Sequence, residues 1–484
     1  MRVLFVYLKP SADIRDPLGL LYIVSVAKNE GNETLLLIPN LDREFLNKAI
    51  AFRPDMICYS VTTGSEQNYL KINALLKEKL SFLSVFGGPH PTFYPEFIKE
   101  PGVDVICKGE GEDACRELLR NISERRDFSR IHNLSVKINN EIVKNEIRPL
   151  ADINNIAFPD RSLINEYYKY RNYGILDVIS GRGCPYNCTY CFNNELKEYY
   201  SGKGSYVRKR DITNLIKEVK IYIEEYNIKA IRFVDDIFII DKRWFFEFIE
   251  RYRREINLPY CCHVRADLVT ESVAKGLKES GCFLVIIGIE SGNERLRRDV
   301  LKRNMSNEQI SKACALLSKY KIKFETFNMI GLPQETLSDA FETVELNVKC
   351  RPAYSWISII QPYPGTELYR FAADNDLLET DYRIEPDYHS SSPLKSAHKN
   401  EIINLHDLFA IAVQFPFFIP LIKRLIRFPP NLFFKVMFYV YKIYSYIKVD
   451  WVQFNYFFVK NMISMLIASQ CLSRQLKKYD KARF

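Results

Sequence analysis

The chain has 484 residues, too many for one ordinary domain, and its 47% hydrophobic and 26% charged residues are the balance of a packed globular protein. This balance excludes disordered, collagen-like and disulfide-scaffold proteins. Of the formal net charge of +9, residues 401–484 carry +8, from 12 Lys and Arg against 4 Asp and Glu. A uniformly basic surface for nucleic acid is therefore not expected.

Residues 1–150 alternate short apolar runs with amphipathic segments, which predicts a doubly wound, parallel-sheet α/β domain. The first run, Val3–Leu8, is too short for a signal-peptide core and is predicted to be a buried strand. The later elements, in chain order, are predicted as helix Leu18–Lys28, strand Thr34–Ile38, helix Arg43–Phe52, strand Met56–Val61, helix Glu66–Leu80, strand Phe82–Phe86, strand Val103–Cys107 and helix Asp113–Arg120. Ligands of such sheets lie at the carboxyl ends of the strands.

A connector is predicted over residues 151–173, where the chain is polar and contains proline. Just before it, Leu134–Ile138 and Glu141–Lys144 flank Asn139–Asn140, which is a hairpin signal.

Residues 174–395 are predicted to form a second α/β domain, a partial (β/α)6 barrel with chemistry at the carboxyl ends of its strands. The six strand candidates are Leu176–Ser180, Ala230–Val234, Cys261–Val264, Leu284–Ile289, Phe324–Ile330 and Ser355–Ile360. Residues 396–484 lack this alternation, and their aromatic, Lys-spaced segments predict helices.

The strongest chemical signal is Cys184-Pro-Tyr-Asn-Cys188-Thr-Tyr-Cys191, three thiols that follow the first strand of the predicted barrel. Three thiolates at this spacing can surround one face of an iron–sulfur cluster. A zinc site normally has four protein ligands, so zinc requires a distant fourth ligand such as Cys261 or His263. Three buried structural cysteines are the remaining alternative.

The C-x3-C-x2-C run, with aromatic Tyr190 before its last cysteine, resembles the signature of radical S-adenosylmethionine enzymes. The resemblance implies that the three cysteines ligate a 4Fe–4S cluster whose fourth iron binds S-adenosylmethionine, which is cleaved reductively. A reductase, flavodoxin or ferredoxin is then the expected electron donor. Later segments resemble the same family in the same order: Phe233-Val-Asp235-Asp236, Gly288-Ile-Glu290-Ser291, Met329-Ile-Gly331-Leu-Pro333 and Pro362-Tyr-Pro364-Gly-Thr366.

These segments predict a site for S-adenosylmethionine at the strand ends. We expect Glu290 to accept hydrogen bonds from ribose hydroxyls, Arg265 to pair with a carboxylate, and the turn at Gly331 to let backbone approach the adenine ring. For each carboxylate taken alone, a surface ion pair or a helix cap is the ordinary alternative. The residues predicted to bind S-adenosylmethionine are Asp235, Asp236, Arg265, Glu290, Ser291, Gly331 and Pro333.

The N-terminal domain has neither G-x-G-x-x-G after its first strand nor the nucleoside-triphosphate pattern G-x-x-x-x-G-K-S/T. Instead, Pro17–Tyr22, Phe86–Phe93 and Cys107–Asp113 resemble the cobalamin-binding domain of one large subgroup of radical S-adenosylmethionine enzymes, so that the resemblance extends over roughly residues 1–390. The residues predicted to bind cobalamin are Leu18, Gly19, Thr62, Thr63, Gly87, Gly88, His90, Gly109 and Glu110.

The D-x-H-x-x-G motif, whose histidine ligates cobalt in other cobalamin proteins, does not occur. His90 is the only histidine near a strand end of this domain, and it is either a cobalt ligand or a loop residue that lines the pocket or is solvated. Because the radical subgroup commonly lacks the motif, we expect no protein ligand beneath the cobalt. A degenerate domain that binds nothing is the alternative.

Residues 408–466 interleave Phe and Tyr with isolated cations. Such helices either cap the barrel or lie in a membrane interface, where the cations meet anionic lipid. The uncharged segment Leu408–Ile422 has 15 residues, fewer than the roughly 20 that cross a bilayer. Twelve cysteines without an export signal indicate a cytoplasmic protein, peripheral at the inner membrane surface if the tail binds lipid. Within residues 401–484, adjacent cations occur only at Lys423-Arg424 and Lys477-Lys478, so nucleic acid is not an expected partner of this segment.

Together these features predict a cobalamin-dependent radical S-adenosylmethionine enzyme that acts on a small-molecule substrate, with a lipid or apolar compound favoured. The expected reaction is methyl transfer from methylcobalamin to an unactivated carbon after a 5′-deoxyadenosyl radical has removed a hydrogen. Cyclisation or oxidative rearrangement, with or without bound cobalamin, is the first alternative. A non-catalytic iron–sulfur redox sensor is the alternative from a different class of protein.

Overall fold

The structure, a computed structural model, describes residues 1–9, 15–139, 141–168, 174–384, 389 and 391–449. The chain divides into two compact units, which we call the N-terminal unit (residues 1–168 with Tyr199–Ser205) and the barrel unit (residues 174–198 with 206–449). Three parts of the predictions lie outside the described residues: Asn140 of the hairpin turn, residues 169–173 of the connector and residues 450–484 of the helical segment.

The N-terminal unit is built on a seven-stranded sheet. Its elements are β1 (Arg2–Val6), α1 (Leu18–Asn29), β2 (Glu33–Leu37), α2 (Phe45–Phe52), β3 (Met56–Ser60), α3 (Glu66–Lys77), β4 (Leu83–Gly87), α4 (Pro89–Phe93), β5 (Val105–Cys107), α5 (Glu112–Ser123), β6 (Leu134–Ile138), β7 (Glu141–Lys144) and α6 (Asn165–Tyr168). The strand order is β2-β1-β3-β4-β5-β6-β7, in which β1 to β5 are parallel and β6 and β7 form the predicted antiparallel hairpin.

Strand β1 shows why this sheet is covered on both faces. Its residues 3–6 are all buried, without the alternation of a half-exposed strand. Val3 and Phe5 pack in a cluster with α1 and α5, whereas Leu4 and Val6 pack in a cluster with α2 and α3. The prediction of a doubly wound parallel sheet is therefore confirmed, and the strand order reverses between β1 and β3, where such folds bind ligands.

The barrel unit contains a six-stranded parallel sheet in the order β15-β14-β13-β12-β11-β8. Its elements are β8 (Ile175–Val178), β9 (Gly181–Arg182), α7 (Phe192–Tyr199), β10 (Arg208–Lys209), α8 (Ile212–Glu225), β11 (Ala230–Phe233), α9 (Lys242–Glu255), β12 (Tyr260–Val264), α10 (Glu271–Glu279), β13 (Cys282–Glu290), α11 (Asn307–Lys319), β14 (Lys323–Ile330), α12 (Leu337–Cys350), β15 (Tyr354–Ile359), α13 (Glu367–Asp374), α14 (Lys399–Gln414), α15 (Ile419–Leu425) and α16 (Leu432–Val449). All six predicted strands are present, which confirms the partial barrel.

The two faces of the barrel sheet differ in chemistry. One face is apolar and packs in a single cluster against the helices, through residues such as Phe233, Val264 and Ile287. Because side chains alternate along a strand, positions such as Arg232 and His263 point to the opposite, inner face. The inner face therefore carries the polar groups, and its strands end at one common edge.

The helices after residue 396 pack on the last strands of the barrel sheet. Ile402, Leu405 and Phe409 of α14 share an apolar cluster with Ile357 and Ile359 of β15. The predicted helical segment is thus confirmed in its described part. Within the described residues, every helix is too short or too polar to cross a bilayer.

Gly88, directly after β4, lies where two loops of the N-terminal unit approach each other closely. Its φ is +101°, and a Cβ there would lie 2.8 Å from the carbonyl oxygen of Val61. Gly31 is a matched control, since its φ is +72° and no atom lies within 4 Å of a Cβ.

We expect Gly31→Ala to lower the free energy of unfolding by about 1–2 kcal/mol, the cost of left-handed backbone. Gly88→Ala should cost about 1–3 kcal/mol more, because the loop must move away from Val61. Hydrogen exchange of the β3 and β4 amides in the full chain measures both losses. Equal losses in the two variants would contradict the close approach.

Candidate functional site

The three cysteines lie on the loop between β9 and α7. Two glycines let this loop start beside strand β10: a Cβ on Gly181 would lie 2.6 Å from the carbonyl oxygen of Arg208, and a Cβ on Gly183 would lie 2.2 Å from that of Tyr206. The chain then curls, since the backbone N–H of Cys191 donates to the carbonyl oxygen of Cys188 at 3.1 Å. The glycines before the motif therefore serve the packing of the loop.

Two of the three cysteine thiols are strongly affected by burial. Burial raises the pKa of Cys184 to about 11 and that of Cys191 to about 12, so binding to iron must supply the charge that favours the thiolates. Among the described residues, no three His, Cys, Asp or Glu side chains converge on a single ion, as zinc requires. In a 4Fe–4S cluster each thiolate binds a different iron, so a cluster does not require the three thiols to converge on a single point.

Arg303 joins the cysteine loop to the end of β13. Its Nη2 donates to the carbonyl oxygen of Gly288 at 2.7 Å, and its Nη1 lies 3.9 Å from Sγ of Cys188. The Glu290 carboxylate lies 4.0 Å from Nη2. A Cβ on Gly288 would come within 2.2 Å of Glu290 and 2.9 Å of Arg303, so glycine alone leaves room for this pair. Arg303 thus lies beside one of the predicted cluster ligands.

Glu290 stands in strained backbone at the end of β13. Its φ is +70°, and the pairing with β14 shifts in register between Gly288 and Glu290. Burial raises the pKa of the Glu290 carboxyl, and the Arg303 charge acts in the opposite direction. A left-handed non-glycine residue costs of order 1–3 kcal/mol and persists only where its surroundings fix it, which is typical of functional positions.

Arg297 fixes the chain just after Glu290. Its guanidinium has none of its surface exposed and donates to the carbonyl oxygens of Ser291 and Met305, at 2.5 and 2.9 Å. Ser291 is also fully buried, and its Oγ accepts from the backbone N–H of Asn293 at 3.3 Å. The structure thus places Ser291 in this turn, where its hydroxyl already has a partner, and its contact with S-adenosylmethionine stays a prediction.

Arg265 follows β12 and is 2% exposed. Its Nε donates to Asp267 at 2.8 Å, its Nη2 donates to the carbonyl oxygen of Asn304 at 3.0 Å, and its guanidinium lies 3.8 Å from the ring centre of Tyr186, which belongs to the cysteine motif. Its Nη1 is buried and has no hydrogen-bond partner among the described residues. A buried guanidinium N–H without a partner is costly, and a carboxylate is the ligand that suits it best.

The structure brings Asp236 to the cysteine motif. Nδ2 of Asn193 donates to the Asp236 carboxylate at 2.9 Å and lies 3.8 Å from Sγ of Cys191. The other amide atom of Asn193 accepts from the Tyr206 hydroxyl at 2.6 Å, which fixes its orientation. Asp236 is therefore the carboxylate of this pair that lies beside the cluster ligands.

Its neighbour Asp235 points to another set of partners. The Asp235 carboxylate accepts from the backbone N–H of Ser180 at 3.0 Å, from its Oγ at 2.7 Å, and from Nζ of Lys209 at 3.1 Å. The Lys209 ammonium also lies 4.5 Å from the ring centre of Trp244. Asp235 thus ties the end of β8 to β10, and its predicted contact with S-adenosylmethionine remains untested.

The turn after β14 also contains a buried polar atom without a partner among the described residues. Gly331 has φ +76°, and the N–H groups of Gly331 and Leu332 donate to Oε2 of Glu335 at 2.5 and 3.1 Å. Oε1 of Glu335 has no partner among the described residues, and burial raises the pKa of this carboxyl to about 8. Pro333 is buried in the same turn.

Arg265 therefore offers a donor and Glu335 a carboxyl oxygen without a partner at the ends of β12 and β14, on either side of the strained end of β13. This donor set fits S-adenosylmethionine, which carries a carboxylate together with amino and hydroxyl donors. The residues around the cysteine motif thus fit the cluster and the nucleoside that the sequence predicts.

The residues predicted to bind cobalamin lie at the carboxyl ends of β3, β4 and β5 and at the start of α1. A Cβ on Gly19 would meet no atom within 4 Å, and the nearest atom to a Cβ on Gly87 would be 3.9 Å away. Leu18, in the first turn of α1, is buried. The open space at Gly19 and the absence of a close approach at Gly87 fit the approach of a large ligand to the backbone.

The other two glycines are occupied by the packing of the unit itself. Gly88 approaches Val61, as described above, and a Cβ on Gly109 would lie 2.0 Å from the Tyr200 hydroxyl oxygen. That hydroxyl accepts from the backbone N–H of Glu110 at 2.7 Å. Packing within the unit thus explains why Gly88 and Gly109 are glycines, independently of any ligand.

His90 is 7% exposed and therefore not solvated. Its ring stacks on Tyr94 at 4.6 Å, its Nδ1 lies 3.2 Å from Oγ1 of Thr63, and burial lowers its pKa. Thr62 pairs with Oγ of Ser65 at 3.0 Å. His90 and Thr63 thus share a contact at the strand ends, and their role as cobalamin residues stays a prediction.

Several site residues were missed by the sequence predictions. Tyr186 and Asn193 lie inside or next to the cysteine motif, and this position in the sequence could have identified them as site residues. Glu335 follows the predicted Gly331 turn. Arg303 gave no signal, because it lies in the polar run after the Arg297 turn and resembles an ordinary surface cation.

Comparison with known proteins agrees with this geometry. Residues 178–346 match the model of the radical SAM superfamily, and residues 6–119 match that of the B12 binding domain. The chain is 30% identical over 373 residues to the uncharacterized methyltransferase PH0819 of Pyrococcus horikoshii, which spans 75% of this chain and 80% of the relative.

Two solved structures share the fold. The radical S-adenosylmethionine methyltransferase TsrM from Kitasatospora setae has a TM-score of 0.67 at 19% identity and covers 77% of this chain and 76% of its own. The cobalamin-dependent S-adenosylmethionine radical enzyme OxsB has a TM-score of 0.68 at 17% identity and covers 99% of this chain and 80% of its own.

These matches confirm that the protein is an enzyme and that its cofactors are S-adenosylmethionine, a 4Fe–4S cluster and cobalamin. The chain belongs to the radical S-adenosylmethionine enzymes that carry a B12-binding domain.

Proposed function

We propose that this enzyme transfers a methyl group to an unactivated carbon of a small molecule, and that Cys184, Cys188 and Cys191 hold its cluster. When bound, the cluster with S-adenosylmethionine supplies hydrogen abstraction and cobalamin supplies methyl donation. The observation that carries the proposal is the unpartnered N–H of Arg265, stacked on the cysteine motif and suited to a carboxylate. The methyltransferase name of the Pyrococcus relative favours methylation over cyclisation or rearrangement.

The protein residues bind and orient the cofactors. Arg303 places a positive charge beside Cys188, and Arg265 pairs with the carboxylate of S-adenosylmethionine. Glu290, whose carboxyl is 13% exposed, accepts from its ribose hydroxyls, while Glu335 fixes the turn against which the adenine lies. Asp236 orients Asn193 beside Cys191 and thus acts on the cluster side of the site. Asp235, Ser291, Gly331 and Pro333 form the walls of the site.

In the N-terminal unit, we propose that cobalamin lies over the carboxyl ends of β3, β4 and β5. Gly19 and Gly87 give it room, and Leu18 supplies apolar contact. Thr62, Thr63, His90 and Glu110 supply polar contacts. The substrate is a small molecule, and an apolar compound or lipid is the class we favour.

Methyl transfer is tested with anaerobic protein loaded with cluster and cobalamin, methyl-labelled S-adenosylmethionine and a total lipid extract of the source cells. We expect 5′-deoxyadenosine together with label bound to carbon in a lipid. Cys188→Ala should abolish both products, because the cluster loses a ligand, whereas Cys115→Ala in α5 should retain them. Formation of 5′-deoxyadenosine without label transfer would favour cyclisation or rearrangement. An intact cluster without either product would favour the sensor.

The role of Arg265 is tested by binding. A charge-assisted hydrogen bond is worth about 1.5–3 kcal/mol, so Arg265→Met should weaken binding of S-adenosylmethionine to cluster-loaded protein about 10- to 100-fold. Equilibrium dialysis measures the loss, and iron content checks that the cluster is retained. Arg298→Met is the control, since the Arg298 side chain is 63% exposed. Unchanged affinity in Arg265→Met would remove this residue from the site.

We also propose that the enzyme rests on an anionic membrane surface through its C-terminal helices. Phe417, Leu432 and Phe433 are 71%, 75% and 67% exposed, which is unusual for side chains of this size. Lys423 and Arg424 lie in the last turn of α15, between Phe417 and Leu432 in the chain. Apolar groups that enter the interface, flanked by cations that meet lipid phosphates, are typical of interfacial helices.

Flotation of the full chain with anionic vesicles tests the membrane proposal. We expect binding that weakens with salt and a loss of about tenfold or more for Phe417→Ser with Phe433→Ser, because each ring contributes roughly 1.5–3 kcal/mol of burial. Phe246→Ser is the control, since Phe246 is 37% exposed on α9. Equal flotation of wild type and the double variant would contradict the proposal.

A further inference from the structure

Helix α12 begins two residues after Glu335 and carries buried polar side chains on one side. Thr343 and Asn347 stand about one turn apart on this helix, and neither has any of its surface exposed. The site described above does not use these two side chains. Because a buried polar group is costly unless it is hydrogen-bonded, its partners show what the helix is held against.

Thr343 holds the chain just after Glu290. The backbone N–H of Gly292 donates to Oγ1 of Thr343 at 2.8 Å, and the carbonyl oxygen of Gly292 accepts from Nδ2 of Asn307 at 2.9 Å. A Cβ on Gly292 would lie 2.3 Å from the carbonyl oxygen of Glu342, so glycine alone allows α12 to approach this closely. Side chains therefore satisfy both backbone groups of the residue that lies two positions after Glu290.

Asn293 adds a second link between the same turn and α12. Its Nδ2 donates to the carboxylates of Asp339 at 2.9 Å and Glu342 at 3.1 Å. Asp339 also closes the first turn of the helix, since its other oxygen accepts from the backbone N–H of Thr336 at 2.8 Å. Thr336 follows Glu335 directly. The turn after β13 is thus tied to the start of α12, next to the turn that follows β14.

Asn347 holds strand β14 at the point where its pairing with β13 shifts in register. Nδ2 of Asn347 donates to Oδ1 of Asn328 at 2.8 Å, and its Oδ1 accepts from Oγ1 of Thr326 at 2.6 Å. Asn328 is the residue that pairs with Glu290, one position after the pairing of Gly288, so β13 carries one extra residue here. A bulge of this kind changes the direction of the side chain beside it.

The hydrogen bonds around Asn347 form one buried network. Its second amide hydrogen goes to the carbonyl oxygen of Thr343 at 2.8 Å, which links the two side chains of α12. Nδ2 of Asn328 donates to the carbonyl oxygen of Trp356 on β15 at 2.9 Å. Thr326 and Asn328 are 0% and 2% exposed, so water does not replace a lost bond easily. Buried networks of this kind are rigid, and the removal of one member leaves its partners unsatisfied.

We propose that Thr343 and Asn347 are positioning residues, which hold the left-handed backbone of Glu290 so that its carboxylate meets the ribose hydroxyls of S-adenosylmethionine. Thr343 acts through Gly292, and Asn347 acts through Asn328. Strained backbone persists only where its surroundings fix it, and α12 supplies these surroundings on the side away from Arg303. The inference rests on the proposed function, since it takes Glu290 as a residue that binds the nucleoside.

The positioning role is tested by equilibrium dialysis of S-adenosylmethionine with the cluster-loaded full chain. Thr343→Val keeps the shape of the side chain but leaves the N–H of Gly292 without its acceptor, so we expect Kd to rise about 5- to 20-fold. Asn347→Leu should raise Kd by a similar factor, because Asn328 loses its donor. Thr343→Ser keeps the hydroxyl and should bind like the wild type. Iron content checks that each variant retains the cluster.

Val344→Ala separates positioning from a general loss of stability. Val344 lies on the same helix and is fully buried, but it belongs to the apolar cluster that contains Ile357 and Ile359. Its truncation leaves a cavity outside the network, so the Tm should fall while the affinity for S-adenosylmethionine stays unchanged. Equal weakening of binding in Val344→Ala and Thr343→Val would show that the network serves only stability, and would overturn the inference.

Asn293→Ser provides the same test in a variant that is easier to fold, should Thr343→Val not accumulate. Asn293 is half-buried, and its Oδ1 accepts from the backbone N–H of Leu296 at 3.0 Å, a role that a serine hydroxyl can take over. The variant therefore loses chiefly the two links to α12. We expect a rise in Kd here as well, and an unchanged Kd in a folded Asn293→Ser would count against the inference.

A double-mutant cycle with Glu290→Gln tests whether the effect passes through Glu290. Glu290→Gln alone should weaken binding, and the addition of Thr343→Val should then weaken it by less than about twofold further. Fully additive losses would overturn this route. Unchanged affinity in Glu290→Gln would instead overturn the ribose contact in the proposed function, while the comparison of Thr343→Val with Val344→Ala would still decide whether α12 positions the site.

Discussion

The guanidinium of Arg303, whose side chain is 12% exposed, makes the contacts on which the barrel site depends. It binds the backbone of Gly288, approaches the thiol of Cys188 and faces the carboxyl of Glu290, and thereby joins a loop to a strand end. A buried charge must be compensated, so the cation, the carboxyl and the thiol constrain one another. The left-handed backbone of Glu290 is held by this arrangement together with the Arg297 turn.

Two further contacts link the cysteine motif to strand ends. Tyr186 reaches Arg265 at the end of β12, and Asn193 reaches Asp236 at the end of β11. The ends of β11 and β12 are thus each linked to the motif by one side chain from the motif or beside it. Parallel strands bring their carboxyl ends to one edge, so short side chains are long enough to make these links.

Much of the fold and part of the site could be predicted from the sequence, because both depend on local patterns. Strand β1 is an uninterrupted apolar run, and the cysteine motif is contiguous, so neither needs knowledge of distant contacts. Arg303 could not be found in this way, since its partners lie 15 and 115 residues away in the chain. The different orientations of Asp235 and Asp236 likewise follow from distant partners that sequence patterns do not reveal. Gly88 and Gly109 were predicted as ligand contacts, but the structure adds a packing reason for each.

The exposed aromatic surface of the last helices also affects the protein when lipid is absent. In the absence of a bilayer, exposed apolar side chains such as Phe417 and Leu432 will associate with those of neighbouring molecules. The purified enzyme should therefore form soluble aggregates as its concentration rises, and added phospholipid or a mild detergent should keep it monodisperse. Crystallisation and spectroscopy of this enzyme are thus best carried out with an amphiphile in the buffer.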